Sequence, residues 1–125
     1  MARSIERSKR KISGGLYKKS HKKKRYQLAS QPALTVLGEK RLKLRRSRAG
    51  IRKIINLSTN KANVYNPKTK KYALTDIVTV VENPSNRNYV RRNIMTKGTI
   101  IETKIGKAKI ISRPGQEPVI NAILI

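Results

Sequence analysis

Nine cations lie between Lys9 and Arg25 with no acid among them: Lys9, Arg10, Lys11, Lys18, Lys19, Lys22, Lys23, Lys24 and Arg25. Ammonium and guanidinium groups at this density suit one kind of chemistry, the neutralisation of a polyanion. Such binding releases counterions and weakens steeply with salt. A solvated tail or a localisation-type patch is the plainer reading of a Lys-rich run; polyanion electrostatics favour phosphate contact. Arg3 and Arg7 extend the same stretch towards the N-terminus. Tyr17 and Tyr26 flank the densest run, where each can stack on a base or anchor the segment. Gly14-Gly15 either lets backbone approach a sugar-phosphate closely or acts as a joint. His21 has no carboxylate nearby to make it a general base, so its expected role is polar contact with RNA.

Residues 40–53 carry eight more cations and again no acid. Arg41, Lys43 and Arg45 alternate with Leu42 and Leu44. Arg45, Arg46 and Arg48 are suited to bidentate phosphate contacts that Lys cannot make. A solvated strand face is the plainer alternative. Further on, residues 83–93 combine Arg87, Arg91 and Arg92 with Tyr89 and four Asn. This composition fits phosphate, 2′-hydroxyl and stacking contacts, and it fits an ordinary surface loop equally well.

Other chemistries find little support. The six carboxylates are scattered, and neither GxGxxG nor GxxxxGK[ST] occurs. A small ribonuclease needs a Glu/His or His/His pair in a cleft, and the single His lies within the basic run. With no Cys and one His there is no expected metal site and no disulfide framework. No cofactor or small-molecule substrate is implied. No apolar run approaches the ~20 residues needed to span a bilayer, so no membrane partner is expected. MARSIERSKRK lacks an apolar signal region, which points to an intracellular protein.

The elements that must position these cations are unevenly distributed along the chain. Of the net +25 over 125 residues, +17 lies in residues 1–53 and +8 in residues 54–125. Ile and Val run the other way: 19 of 22 lie beyond residue 50. Residues 1–39 therefore read as a long basic extended N-terminal arm, disordered without RNA, and residues 40–125 as a β-rich body. In Lys40–Arg45 the period of two predicts a half-buried strand with a basic outer face. Ile51–Leu57 is a second candidate strand. Asn66-Pro67-Lys68-Thr69 is turn chemistry between Ala62–Tyr65 and Lys71–Val81, so a hairpin is expected. Ile77–Val81 reads as a strand covered on both faces. Gly106-Lys107 is placed as a two-residue turn, which sets Ile105 against Ala108 and Thr103 against Ile110 on one face. Arg113-Pro114-Gly115-Gln116 is another turn, and Val119–Ile125 a final strand too apolar for an exposed edge. The fold class is all-β: a small antiparallel β-barrel of about six strands, with no convincing amphipathic helix.

Several stretches together resemble a known family. They are Arg7-Ser8-Lys9-Arg10-Lys11-Ile12-Ser13-Gly14-Gly15, Lys22-Lys23-Lys24-Arg25-Tyr26-Gln27-Leu28, Gln31-Pro32-Ala33 and Leu37-Gly38-Glu39-Lys40-Arg41. They continue with Val80-Val81-Glu82-Asn83-Pro84-Ser85-Asn86-Arg87, Tyr89-Val90-Arg91-Arg92-Asn93-Ile94, Thr96-Lys97-Gly98, Ile100-Ile101-Glu102-Thr103 and Ser112-Arg113-Pro114-Gly115-Gln116. In this order they resemble the small-subunit ribosomal protein eight-e family of archaea and eukaryotes, in its short archaeal form. The resemblance implies a β-barrel with a basic extension, bound to small-subunit ribosomal RNA as a structural component beside neighbouring ribosomal proteins. It also implies a cytoplasmic, ribosome-bound protein. Where the family usually has Arg-Gly-Gly-Asn, this chain has Arg48-Ala49-Gly50-Ile51. The competing readings are a related, transiently bound ribosome-assembly factor and a DNA-compacting chromatin protein. Replacing Lys22, Lys23 and Lys24 by Ala is expected to flatten the log–log salt dependence of RNA binding by up to about 0.7–0.9 per lost phosphate contact. A salt titration with an unchanged slope would show the run to be mere solvated tail.

Overall fold

The computed structural model describes residues 8–18, residue 24 and residues 31–125. The chain forms two units, residues 1–32 and 33–125.

In the first unit, residues 9–17 make a tight reversal. Gly14 N donates to Lys11 O (3.0 Å), Lys11 N to Gly15 O (2.7 Å) and Tyr17 N to Lys9 O (3.0 Å). Gly14 sits at φ 85°, the left-handed conformation that glycine adopts at no steric cost. A four-residue turn followed by one left-handed residue is a common way to close a short hairpin.

The second unit contains nine strands: β1 Thr35–Leu37, β2 Arg41–Arg46, β3 Arg52–Thr59, β4 Lys61–Asn66, β5 Lys71–Glu82, β6 Ile94–Met95, β7 Ile100–Thr103, β8 Gly106–Ile110 and β9 Asn121–Leu124. A 3-10 turn spans Arg48–Gly50, and a one-turn helix, α1, spans Asn88–Arg91. Strands β4-β5-β7-β8-β9 close into a barrel, and β2-β3-β1-β6 form a four-stranded sheet. The expected β-barrel is thus present, with five strands. Its other pairings are antiparallel, but β9 returns beside β4 in parallel, with Asn63 opposite Asn121 and Tyr65 opposite Ile123. The apolar final strand is therefore the one that closes the ring.

Inside lie Ala62, Val64, Ile77, Val80, Met95, Ile101, Ala108, Ile110, Ile120 and Ala122. The bore of a barrel narrows as strand number falls, and alanine on β4, β8 and β9 leaves room for the isoleucines that fill it. The β4–β5 hairpin forms as its turn chemistry predicts. Asn66 Oδ1 accepts from Lys68 N (3.0 Å) and Thr69 N (3.4 Å), and the strands pair from Asn66–Lys71 to Lys61–Asp76.

Three local expectations are corrected. The β7–β8 turn is Lys104-Ile105, not Gly106-Lys107, because Thr103 pairs with Gly106 and Ile101 with Ala108. Thr103 Oγ1 donates to Gly106 O (2.7 Å), which closes this tighter turn. The shift conserves parity, so Thr103, Ala108 and Ile110 still face inward, but Ile105 at the turn is 49% exposed. In β5, Val78 and Val81 are exposed while Ile77 and Val80 are buried. Register shifts at Ile77/Thr79 and Val80/Glu82 move the inward parity along the strand. The continuous apolar run thus encodes bulges that bend a 12-residue strand around the barrel, not a strand covered on both faces. Third, β2 is exposed along its whole length, Leu42 and Leu44 included, so it is not half-buried. Among the described residues it is an edge strand paired with β3 alone.

Arg113–Gln116 turns as expected, with Gln116 N donating to Arg113 O (2.8 Å). A Cβ at Gly115 would lie 2.7 Å from the carbonyl oxygen of Ala33. Gly115→Ala is therefore expected to destabilise the protein by about 1–3 kcal/mol, since backbone rather than a flexible side chain must shift. A urea midpoint equal to wild type would contradict this.

Candidate nucleic-acid interface

The β2–β3 hairpin pairs Lys43 with Ile55, Leu44 with Ile54, Arg45 with Lys53 and Arg46 with Arg52. Side chains alternate across a strand, so Lys43, Arg45 and Lys53 share one face. Leu42, Leu44 and Ile54 share the other, with Arg46 and Arg52 towards the tip. Neither strand contains an acid. Two successive cross-strand pairs are cation opposite cation, an arrangement that destabilises a bare hairpin. Arg41 stands at the base, opposite Ser58, where the register shifts before Leu42. The register adds Arg52 and Lys53 to the sequence-based candidates. Their signal was present in the alternation of the second strand, but only pairing shows which cations they oppose.

Arg48 opens the turn at the hairpin tip, where Ser47 N donates to Ile51 O (2.7 Å). Ala49 takes φ 56°, ψ 28° and Gly50 φ 72°, two left-handed residues in succession. Left-handed backbone costs an L-residue roughly 1–2 kcal/mol. Ala49 bears that strain at a position where the resembled pattern has glycine.

In the first unit, Lys9, Arg10, Lys11 and Lys18 are exposed on and beside the Gly14-Gly15 reversal. Arg10 Nη1 donates to Gly14 O (3.1 Å), and Lys11 Nζ lies 5.8 Å from the centre of the Tyr17 ring. Such a cation–π contact is worth about 0.5–1 kcal/mol at an exposed site. Lys24 is also exposed. Arg3, Arg7, Lys19, His21, Lys22, Lys23, Arg25 and Tyr26 lie outside the described residues.

The stretch 83–93 divides between surface and scaffold. Arg87, Arg91 and Arg92 are exposed at α1 and its ends. The asparagines, read as possible RNA contacts, are largely structural. Asn83 is 5% exposed; its Nδ2 donates to Ile94 O (3.0 Å), and its Oδ1 accepts from Ser85 N and Thr96 Oγ1 (both 3.0 Å). Asn86 Oδ1 accepts from Asn88 N (2.9 Å), and Asn93 adopts φ 49° while its carbonyl accepts from Leu37 N (3.0 Å). Ordinary turn chemistry therefore accounts for the side chains of Asn83 and Asn86, which satisfy nearby backbone groups, and for the left-handed backbone of Asn93.

On the barrel, Lys104 Nζ and Asp76 Oδ2 form an ion pair at 2.5 Å. The hydrogen bond from Lys104, and then its charge, holds the Asp76 carboxyl below the usual carboxylate range. That acid thus answers a neighbouring Lys and leaves the hairpin's charge untouched. Among the described residues no group of three His, Cys, Asp or Glu could hold a metal ion, and no helix is long and apolar enough to cross a membrane.

Residues 4–125 match the family described as Ribosomal protein S8e. The chain belongs to this family. The S8e match takes in both the basic N-terminal segment and the barrel, and the family is one of ribosomal proteins, not of enzymes. Curated archaeal relatives agree along nearly the whole length. Small ribosomal subunit protein eS8 of Picrophilus torridus is 49% identical over 119 residues, covering 95% of each chain. That of Methanocorpusculum labreanum is 50% identical over 119 residues, again 95% of each. That of Methanobrevibacter smithii is 46% identical over 125 residues, the full length of both.

The hairpin tip gives a direct test of this S8e variant. No atom lies within 4 Å of a Cβ built on Gly50, so Gly50→Ala meets only conformational cost. It is expected to destabilise the hairpin by about 1 kcal/mol. Amide exchange should speed up in β2 and β3 and stay unchanged in the barrel strands. Equal acceleration everywhere would mean the tip is coupled to global unfolding.

Proposed function

We propose that this chain is a structural constituent of the small ribosomal subunit that binds small-subunit ribosomal RNA and neutralises phosphates where RNA helices pack. One observation carries the reading: Arg45 opposite Lys53 and Arg46 opposite Arg52 on a hairpin without acids. Like charges directly opposite one another destabilise a strand pair. A phosphate lying between the two cations turns that cost into charge-assisted hydrogen bonding. The relatives' name, small ribosomal subunit protein eS8, supports the same assembly.

In this reading the extension that threads between RNA helices is residues 1–32, shorter than the 1–39 expected from sequence because Thr35–Leu37 pairs as β1 within the second unit, and residues 33–125 seat it. Arg41, Lys43, Arg45, Arg46 and Arg48 meet phosphates at the hairpin, and Arg87, Arg91 and Arg92 form a second cluster around α1. Lys9, Arg10, Lys11 and the run Lys18–Arg25 track the backbone of the RNA. The partners are ribosomal RNA and adjacent ribosomal proteins, on cytoplasmic ribosomes.

The protein is expected to stay with intact small subunits through a high-salt sucrose gradient. It should also prefer small-subunit ribosomal RNA to duplex DNA in competition. Release of the whole population by the wash points instead to a transient assembly factor, and equal competition by duplex DNA to a non-specific chromatin binder.

A further inference from the structure

The outer wall of the barrel carries a feature that phosphate neutralisation leaves unexplained. Tyr65 on β4 and Tyr72 on β5 are direct cross-strand partners, with ring centres 4.8 Å apart and planes tilted by 41°. Tyr72 is 77% exposed. Ile123 lies beside Tyr65 across the parallel seam, while Asn63 pairs with Leu74 on one side and Asn121 on the other. Ala62, Val64 and Ala122 point into the core, so these six neighbours share the outward face. They line an open groove.

We infer that this groove is a stacking platform for an unpaired RNA base. The inference rests on the RNA-binding reading above and adds to it a second ligand class, single-stranded nucleotides as opposed to helix backbone. A base presents a flat π-face, and stacking on an exposed aromatic ring tolerates any sequence. Asn63 Nδ2 donates to Asn121 Oδ1 (3.5 Å). The remaining amide atoms, Asn63 Oδ1 and Asn121 Nδ2, supply an acceptor and a donor for a base edge. Charge complementarity favours a nucleotide over an apolar protein segment. Lys68, Lys70 and Lys71 stand on the same hairpin, and Lys61 begins β4, whereas one acid, Glu117, lines the groove. Stabilising the hairpin requires only the ring-to-ring contact; it does not require an exposed second ring within a lysine-rich hairpin.

The test uses full-length protein, a short oligoadenylate carrying one fluorescent purine analogue, and a blunt RNA duplex of matched phosphate number. Wild type should quench the analogue as it stacks. Tyr72→Leu keeps an apolar side chain against Tyr65 but removes the aromatic face. It is expected to abolish the quench and weaken oligoadenylate binding roughly 5-fold or more, from the usual loss per stacked base. Duplex affinity and the salt slope should be unchanged, and Tyr72→Phe should restore both quench and affinity. Equal loss on duplex and single strand, or no loss on either, would overturn the platform. Failure of wild type to bind either RNA would instead overturn the RNA-binding reading. A circular-dichroism melt of Tyr72→Leu keeps the comparison on folded protein. Should that variant unfold, Asn63→Ala with Asn121→Ala serves in its place, and unchanged oligoadenylate affinity there would count against the platform.

Discussion

The narrow bore of a five-stranded barrel governs much of what this molecule can be. Ala62, Ala108 and Ala122 line it because little else fits beside Ile101, Ile110 and Ile120. An aromatic ring inside would force the strands apart, and the chain contains no Phe and no Trp. The aromatic groups it does have are therefore surface groups where they are described. Tyr65 and Tyr72 ride on the outer wall, and Tyr17 lies against Lys11 in the first unit. A constraint on volume in the core thus decides which chemistry is offered outside.

The second determinant is an excess of positive charge. The six carboxylates of the sequence cannot balance 31 cations, and Asp76 is engaged by Lys104. Cations consequently face one another across β2 and β3. Energetically the free hairpin is worse off than the same backbone with mixed charges, while the complex with a polyanion is better off. Leu42, Leu44 and Ile54 on the opposite face keep the same hairpin from being purely electrostatic, because all three are exposed apolar side chains.

How much was legible in the sequence depended on whether local chemistry and tertiary context agreed. Asn66-Pro67-Lys68-Thr69 dictates its turn through one side-chain oxygen and one fixed φ, so the β4–β5 hairpin could be read directly. The apolar stretch 119–125 announced a strand unfit for an exposed edge, and Asn121–Leu124 closes the ring. Gly106 misled, since a glycine signals freedom of backbone without saying which turn uses it. Here the Thr103 hydroxyl settles the matter by bonding Gly106 O, and Gly106 begins the next strand at φ 149°. Ile77–Val81 misled because a bulge mimics two-sided burial in one dimension. Asn83 looked like a contact residue because composition cannot distinguish an amide facing solvent from one serving Ile94 and Thr96. Of the candidate site, the β2–β3 cations were visible as a run, but their opposition across the hairpin is a property of pairing.

The position of β2 at the border of its sheet has one more consequence. A border strand is the place where a second copy of the same strand can pair with a sheet. The sequence Arg41–Arg46 carries four cations in six residues. Two such strands brought together would stack like charge upon like charge along their whole length. The side chains proposed to meet a polyanion therefore also oppose edge-to-edge pairing between copies of the chain. An S8e chain whose hairpin cations were replaced by neutral residues would become its own competitor for assembly.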